Sequence, residues 1–392
     1  MTRQSLPIGI QDFATIRSEG FYYVDKTPLI RQLVSAGRHY FLSRPRRFGK
    51  SLLVDTLSAL FAGQEDLFRG LDIHDHWDWS VTHPVVRLSF DGKYDTPAEI
   101  DGDVIEQLEA VEDEYGLTPA QASNTGPRRL RNILRRVHQK TGQQVVVLVD
   151  EYDKPILDGL PDLDQAHANR DYLQGFYGII KGSAAHVRFV FVTGVSMFSK
   201  VSLFSGLNNL KDISLDPRFA TICGYTDADI DTVFAPELDG LDRDEIRSWY
   251  NGYNWRGTAR LYNPFDVLLL FNDREFEPYW FETGSPTFLF ETLKATSANR
   301  VFLSDTGRLC PAFWLEIPLL GPKNAPMTLK VIFCTHLEST RIGITKIAVV
   351  RDSIMPDFDT KCPPIPALHL TPEILVVPNV DREARIVTMT VG

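Results

Sequence analysis

Apolar residues follow two different spacings in the first half of the chain. Short β-branched or aromatic runs alternate with longer stretches in which apolar residues recur every three or four positions. The helical spacing is clearest at Leu53, Leu57, Leu60 and Phe61, which fall on one face of a helix. The runs that predict strands lie at 39–42, 84–90, 145–149 and 189–192.

The run at 145–149 is apolar at every position. Such runs are typical of a parallel sheet with helices on both faces, because both sides of the strand are then buried. Helices are predicted between the strands, at about 98–116, 127–140 and 165–182. Strands that alternate with helices in this way predict an α/β domain with a parallel sheet flanked by helices.

The character of the chain changes twice after this domain. From about Tyr225 it becomes helical and rich in aromatic residues, and beyond about Asn299 no sustained periodicity remains. We therefore expect three parts: a main domain at 5–224, a smaller helical, lid-like region at 225–295, and an irregular, atypical tail at 296–392.

Composition narrows the functional classes. The 392 residues carry a formal net charge of −10, which argues against a protein that coats nucleic acid with its whole surface. The four cysteines form no CxxC pair, so neither a disulfide framework nor a zinc ribbon is indicated. No apolar stretch has the length of a membrane span or a signal peptide. We expect a cytoplasmic protein without a membrane partner.

A candidate phosphate-binding loop lies between the first strand and the amphipathic helix, with the sequence Arg44-Pro45-Arg46-Arg47-Phe48-Gly49-Lys50-Ser51. Backbone N–H groups at a helix start are unpaired, and the helix dipole favours an anion there. Lys50 would reach the β- and γ-phosphates of ATP, and the Ser51 hydroxyl would ligate Mg²⁺. The predicted nucleotide contacts are Arg46, Arg47, Phe48, Gly49, Lys50, Ser51 and Leu52.

The loop departs from the usual phosphate-binding pattern at one position. That pattern has a glycine five residues before Gly49, where this chain has Arg44. An ordinary helix start with solvent-facing arginines is the simpler interpretation. The loop alone does not decide between the two.

An acidic pair, Asp150-Glu151, ends the apolar strand. It lies at the carboxyl end of the strand, where ligands bind in open α/β sheets. Asp150 would hold the Mg²⁺ that Ser51 also contacts, and Glu151 would take a proton from the attacking water. A strand that simply ends in exposed acids is the alternative. The loop and the acidic pair, in this order and on these elements, together predict Mg-ATP binding.

A polar residue also ends the strand at 189–192. Thr193 is our candidate for a catalytic residue that senses the γ-phosphate, although a threonine that merely ends a strand would look the same. Arg188 and Arg218 are candidates for a further contact with the γ-phosphate. The sequence does not choose between them.

These residues resemble the bacterial AAA-ATPase-like family, whose members often carry a C-terminal PD-(D/E)XK nuclease-like domain. The resemblance covers about residues 5–295. It rests on 6–9, 23–27, 41–51, 149–155, 193–196, 205–209, 225–226, 250–253, 262–265 and 279–284. It implies a P-loop NTPase-type sheet, an arginine-rich loop in place of the first glycine, and nucleotide and Mg²⁺ roles for Lys50, Ser51, Asp150 and Glu151.

The tail departs from that family. A nuclease-like domain needs an acidic residue and an acid-x-Lys pair on a β-hairpin, to bind a metal and position water. The only similar residues, Asp357 and Asp359-Thr360-Lys361, are nearly contiguous and cannot occupy two strands. We therefore expect no nuclease site, and a tail that is truncated, replaced or frame-shifted.

Three functions are compatible with these patterns. The first is a Mg²⁺-dependent ATPase of unknown coupled process, for which DNA or another protein is a candidate partner. The second is a nucleotide-dependent switch with little turnover, which the basic loop without its first glycine motivates. The third is the remnant of a DNA-processing nuclease that lacks its catalytic domain. The oligomeric state cannot be read from the sequence.

Overall fold

The computed structural model describes residues 3–118, 125–159, 162–195 and 209–279, and beyond them only the backbone of six strands. The helices of the first half are α1 (Phe13–Ser18), α2 (Thr27–Ala36), α3 (Lys50–Phe61), α4 (Pro97–Glu114), α5 (Gly126–Thr141), α6 (Lys154–Gly159) and α7 (Leu163–Gly182). The strands are β1 (His39–Ser43), β2 (Val85–Ser89), β3 (Val145–Asp150), β4 (Val187–Gly194) and β5 (Lys211–Asp212).

The five strands form one parallel sheet in the order β2-β3-β4-β1-β5. The strand that comes fourth in the chain therefore lies in the middle. In register, Ser43 of β1 pairs with Gly194 of β4, and Val149 of β3 pairs with Val192. The carboxyl ends of β1, β4 and β3 are consequently neighbours, and they carry the loop, Thr193 and the acidic pair.

Helices cover both faces of the sheet, as the apolar run in β3 predicts. Val145, Val147 and Val149 belong to the core formed with α4, α5 and α7. Val146 and Leu148 belong to the opposite core, which is formed with α3. Every residue of β3 is buried. The prediction of an α/β fold with a parallel sheet flanked by helices is confirmed.

Local signals explain where α4 begins and where α5 ends. The Thr96 side chain accepts a hydrogen bond from the Glu99 N–H, and the Glu99 carboxylate accepts one from the Thr96 N–H, so a capping box starts α4. Helix α5 ends at Gly142, whose φ of 71° is accessible to glycine at little cost. The predicted helices thus lie within a few residues of the observed ones.

A second region follows the sheet. It contains α8 (Asp227–Thr232), α9 (Arg243–Tyr250), β6 (Asn251–Tyr253), β7 (Leu261–Tyr262) and α10 (Pro264–Asp273). Its separate core joins residues of these helices to Tyr22 and Val24 from the start of the chain. The N-terminal segment therefore contributes to the second region as well as to the main domain.

The tail contains strands that the sequence pattern does not reveal. They are β8 (Phe302–Leu303), β9 (Leu309–Cys310), β10 (Ala312–Leu320), β11 (Pro326–Glu338), β12 (Arg341–Arg351) and β13 (Val387–Met389). The last four form an antiparallel sheet in the order β10-β11-β12-β13. Consecutive apolar residues, as at 331–333, obscure the alternation that predicts strands.

Other sequence expectations fall outside the described residues. They include the acidic residues and lysine at 357–361 that were compared with a nuclease site, the segment 196–208 and the aromatic motif from Trp280 onward. Among the residues that the structure describes, no helix has the length and apolar content to cross a membrane.

Candidate active site

The phosphate loop ends where α3 begins. Gly49 has a φ of 88°, a left-handed conformation that side chains other than glycine rarely adopt, and a Cβ at this position would meet no atom within 4 Å. The first helical hydrogen bond runs from the Leu53 N–H to the Gly49 carbonyl (3.1 Å), and no side chain caps the helix. The N–H groups of the first turn are therefore available to an anion.

Lys50 is the buried cation of this loop. Lys50 is only 5% exposed, and its Nζ donates a hydrogen bond to the Pro45 carbonyl oxygen (3.0 Å). Burial lowers the pKa of Lys50, while the charges of Asp150 and Glu151 oppose that change. A buried ammonium gains most from an anionic partner, because desolvation has removed its interaction with water. A phosphate group suits this position.

Asp150 is held at the end of β3 by its neighbour in the sheet. It is 2% exposed, and its Oδ1 accepts hydrogen bonds from the Thr193 hydroxyl of β4 and from the Glu151 N–H (3.0 Å). Thr193 is fully buried. The sequence-predicted Thr193 therefore lies beside Asp150, in a position to orient this carboxylate.

Glu151 combines partial burial with an unusual backbone. Its φ is 52°, in the left-handed region, where non-glycine residues concentrate at functional sites. Burial raises the pKa of Glu151, the charges of Asp150 and Asp153 add to that change, and those of Lys50 and Arg46 oppose it. A higher pKa brings a carboxylate closer to the range of an efficient general base at neutral pH.

Sequence reasoning missed the residues that fix this edge. Both carboxylate oxygens of the buried Asp153 accept from the Val195 N–H at 3.2 Å. The Tyr152 N–H donates to the Thr193 carbonyl (3.0 Å). A Cβ on Gly194 would lie 2.4 Å from the Tyr152 ring, so only glycine fits there. Tyr152, Asp153 and Gly194 lie in the motifs at 149–155 and 193–196, but the sequence pattern assigns them no role.

One cavity of about 380 Å³ opens at this edge. Its walls contain oxygen ligands from carboxylates, hydroxyls and amides, and also the guanidinium of Arg87. The lining residues are Gln11, Ser51, Arg87, Ser89, Asp91, Gln107, Asp150 and Glu151. Oxygen donors of this kind suit Mg²⁺, which keeps several waters and takes few protein ligands. Within the described part of the chain, no three His, Cys, Asp or Glu side chains form a metal site. Ser51, Asp150 and Glu151 would suit a Mg²⁺ ion that keeps water or phosphate oxygens as its other ligands.

The remaining predicted contacts divide into two groups. Arg46 is exposed, and its charge acts on Glu151, so it lies on the side of the acidic pair. Leu52 packs its side chain against the core of α3, which leaves only its backbone for a phosphate. Phe48 is fully buried, and the guanidinium of Arg47 lies over the Phe265 ring at 4.5 Å. These last two side chains contact the second region.

The two arginines considered for a contact with the γ-phosphate, Arg188 and Arg218, do not line this cavity. Arg188 lies near the start of β4, at the amino edge of the sheet and therefore opposite the phosphate loop. Arg218 forms an ion pair with Asp216 (2.5 Å). Neither lines the cavity at the carboxyl edge.

Two comparisons with known proteins match this chain. The family described as Predicted AAA-ATPase matches residues 7–204, about half of the chain, including the loop and the acidic pair. An uncharacterized protein in the vnfD 5'region of Azotobacter chroococcum mcd 1 is 59% identical over 295 residues. That match covers 75% of this chain but 57% of the relative, so the chain spans little more than half of the relative's length. No solved structure matches the chain. The resemblance read from the motifs is confirmed, and the chain belongs to the family of predicted AAA-ATPases.

Proposed function

We propose that this protein is a Mg²⁺-dependent ATPase whose active site lies at the carboxyl edge of the central sheet. One observation carries the proposal: Ser51, Asp150 and Glu151 line the same cavity, beside the buried Lys50. They come from two elements far apart in the chain. The position of β4 between β1 and β3 brings those elements together.

The loop and Lys50 bind the phosphates. The N–H groups at the start of α3 and the Lys50 ammonium surround the place that an anion would take. Lys50 now donates to the Pro45 carbonyl, and it exchanges this neutral acceptor for a charged one when phosphate enters. A hydrogen bond to a charged group contributes about 1.5–3 kcal/mol, which corresponds to roughly 10- to 100-fold in affinity.

Ser51 and Asp150 would hold the magnesium ion, and the Thr193 hydroxyl orients Asp150 by donating a hydrogen bond to its carboxylate. When bound, the ion neutralises charge on the transferred phosphoryl group. The donor set supports this assignment, since it offers hard oxygen ligands with room for water.

Glu151 accepts a proton from the attacking water. Because its carboxyl pKa is raised, the base loses activity at a higher pH than an unperturbed glutamate would. Turnover should therefore decline on the acid side as pH falls through the raised pKa of Glu151. A rate profile that stays flat down to the ordinary glutamate range contradicts this role.

The decisive experiment compares ATP binding and steady-state phosphate release, with Mg²⁺ and with a chelator. The proteins are the wild type, Lys50→Ala and Glu151→Gln, with Glu114→Gln at the exposed end of α4 as the matched control. We expect Lys50→Ala to weaken ATP binding about 10-fold or more. Glu151→Gln should keep binding and lose about 100-fold or more of turnover.

The outcomes separate the candidate functions. Loss of turnover in Glu151→Gln and in the chelator, with Glu114→Gln unaffected, supports the ATPase. Tight ATP binding by the wild type without phosphate release rejects the ATPase and leaves a nucleotide-dependent switch. No ATP binding by the folded wild type rejects the site itself.

A further inference from the structure

The phosphate loop is anchored outside the main domain by Phe48. This side chain is fully buried, and its ring lies edge-on to Tyr253 at 4.7 Å and to Trp255 at 6.0 Å. Gly224 approaches so closely that a Cβ there would lie 2.9 Å from the Phe48 ring. Phosphate binding by backbone N–H groups does not require a buried ring. Phe48 and Trp255 belong to the core that also contains residues of α3, so the Phe48 ring links the loop to the second region through that shared core.

Arg44, which replaces the usual first glycine, makes a second link. It is fully buried, and the charge lies 4.5 Å from the centre of the Trp255 ring. The guanidinium donates to four carbonyl oxygens, those of Ser43 (2.8 Å), Ser214 (2.8 Å), Phe219 (3.3 Å) and Ala220 (3.4 Å). Burial lowers the pKa of Arg44 to about 10. Arg44 therefore fixes the start of the loop to residues 214–220 through these hydrogen bonds.

Arg47 makes the third link, from the exposed side of the loop. Its guanidinium stands 4.5 Å over the Phe265 ring, in the first turn of α10. Its φ is 65°, a left-handed conformation that strains the backbone of a non-glycine residue. The Phe265 ring is a direct partner of the Arg47 guanidinium. The strained backbone is held where Arg47 can reach this ring.

These three contacts come from one short segment of the loop, residues 44–48, and reach three aromatic residues of the second region, Tyr253, Trp255 and Phe265, which we call the aromatic clamp. We propose that the aromatic clamp positions the phosphate loop for the nucleotide, so that the second region senses whether nucleotide is bound. This inference rests on the proposed function. The loop has bulky side chains where a glycine-rich loop would hold its own shape, and support from outside replaces that local geometry.

The coupling between clamp docking and nucleotide binding is reciprocal. If docking of the clamp favours the phosphate-binding shape of the loop, a bound nucleotide must favour the docked clamp by the same factor. Weakening the clamp should therefore lower nucleotide affinity. Binding nucleotide should in turn slow the local opening of the segment 251–273, which contains the clamp.

The test compares Phe265→Leu with two matched variants. Phe265→Tyr keeps a ring under Arg47, and Phe276→Leu removes a half-buried ring that packs on Trp249 and Tyr250 instead of on the loop. Binding of ATP and of ADP is measured by titration calorimetry on the full chain. A cation–π contact contributes about 0.5–2 kcal/mol, so Phe265→Leu should weaken binding roughly 3- to 30-fold. Phe265→Tyr and Phe276→Leu should bind as the wild type does.

Hydrogen exchange on the wild type tests the coupling without any substitution. Saturating ADP should slow amide exchange across 251–273, even though these residues lie outside the cavity at the strand ends. If the wild type binds nucleotide but Phe265→Leu binds it equally well, or if exchange in 251–273 does not change, the clamp proposal is overturned while the ATP site stands. If the wild type binds no nucleotide, the proposed function fails first, and the clamp proposal fails with it.

Discussion

The interior of the central sheet and its carboxyl edge differ sharply in what they bury. Along 145–149 of β3 the buried side chains are apolar, and this segment pairs in parallel with a strand on each side. At the edge, the buried side chains include Lys50, Asp150 and Thr193, and the backbone of Arg47 and Glu151 is left-handed. Apolar burial stabilises the fold, whereas desolvated charges and strained backbone cost free energy. The buried charges and left-handed backbone of the candidate site therefore make the edge less stable than the interior.

If this comparison is right, substitutions should separate the two regions by their effects on stability and on nucleotide chemistry. Interior changes should lower the free energy of unfolding without changing the affinity of the folded protein for ATP. Edge changes that relieve backbone strain should raise the free energy of unfolding and impair nucleotide binding or turnover.

The largest expected effect is at Gly194, where the two regions meet. In Gly194→Ala the new Cβ would lie 2.4 Å from Tyr152 ring carbons and 2.6 Å from the Asp153 carboxylate, so β3 and β4 must shift. We expect the free energy of unfolding to fall by about 3 kcal/mol or more, measured by urea denaturation. Gly175→Ala is the control: it lies within α7 with no atom within 4 Å, and should gain about 0.5–1 kcal/mol. Equal stability of Gly194→Ala and the wild type would show that the strand ends are looser than their contacts indicate.

A smaller effect is expected inside the sheet. Val147 is fully buried in the core beneath α5 and α7, and Val147→Ala removes two methyl groups and leaves a cavity. The free energy of unfolding should fall by about 2 kcal/mol. ATP affinity, measured at a temperature where the variant is folded, should not change. Val81→Ala, at an exposed valine, should shift stability by no more than about 0.5 kcal/mol. A parallel loss of ATP affinity in Val147→Ala would break the proposed separation.

The smallest effect has the opposite sign. Glu151→Gly removes a side chain from a residue whose φ is 52°, and should stabilise the protein by about 1 kcal/mol while abolishing turnover. Glu151→Ala keeps the left-handed strain and should gain less. Thermal unfolding of both variants against the wild type measures the difference.

The same variant carries a pH signature. The pKa of Glu151 is higher in the folded chain than in the unfolded one, so the unfolded wild type releases its proton first as pH rises. The wild type therefore loses stability between the ordinary glutamate range and the raised pKa, and Glu151→Gly does not. The stability advantage of Glu151→Gly should be greater at about pH 8 than at about pH 4. An advantage that shrinks as pH rises would contradict burial as the cause of the raised pKa.

The parts of the fold that the sequence predicted are those with a local cause. A run such as 145–149 needs burial on both faces whatever its neighbours are, and the spacing of Leu53 and Leu57 places both on one helix face. The same holds for Gly49, Lys50 and Ser51 at the start of α3. Their chemistry is tied to the start of a helix, which the apolar spacing already located.

The parts that the sequence could not predict depend on distant contacts. Nothing near Arg44 indicates that its charge would be buried among carbonyl groups of residues 214–220. The bond between Thr193 and Asp150 depends on strand order, which periodicity does not encode. Tyr22 and Val24 likewise join the core of the second region, more than halfway along the chain from their own position.

The central place of β4 also determines when the sheet can be completed during synthesis. His39 of β1 pairs with Val190 of β4, and β3 reaches β1 only through that strand. A nascent chain that has produced β1, β2 and β3 therefore holds two separate pieces of sheet with open edges. Such edges attract other chains, and pairing between remote segments is slow. The chain is most exposed to aggregation and proteolysis until Gly194 has left the ribosome, and a fragment that stops before β4 should not fold.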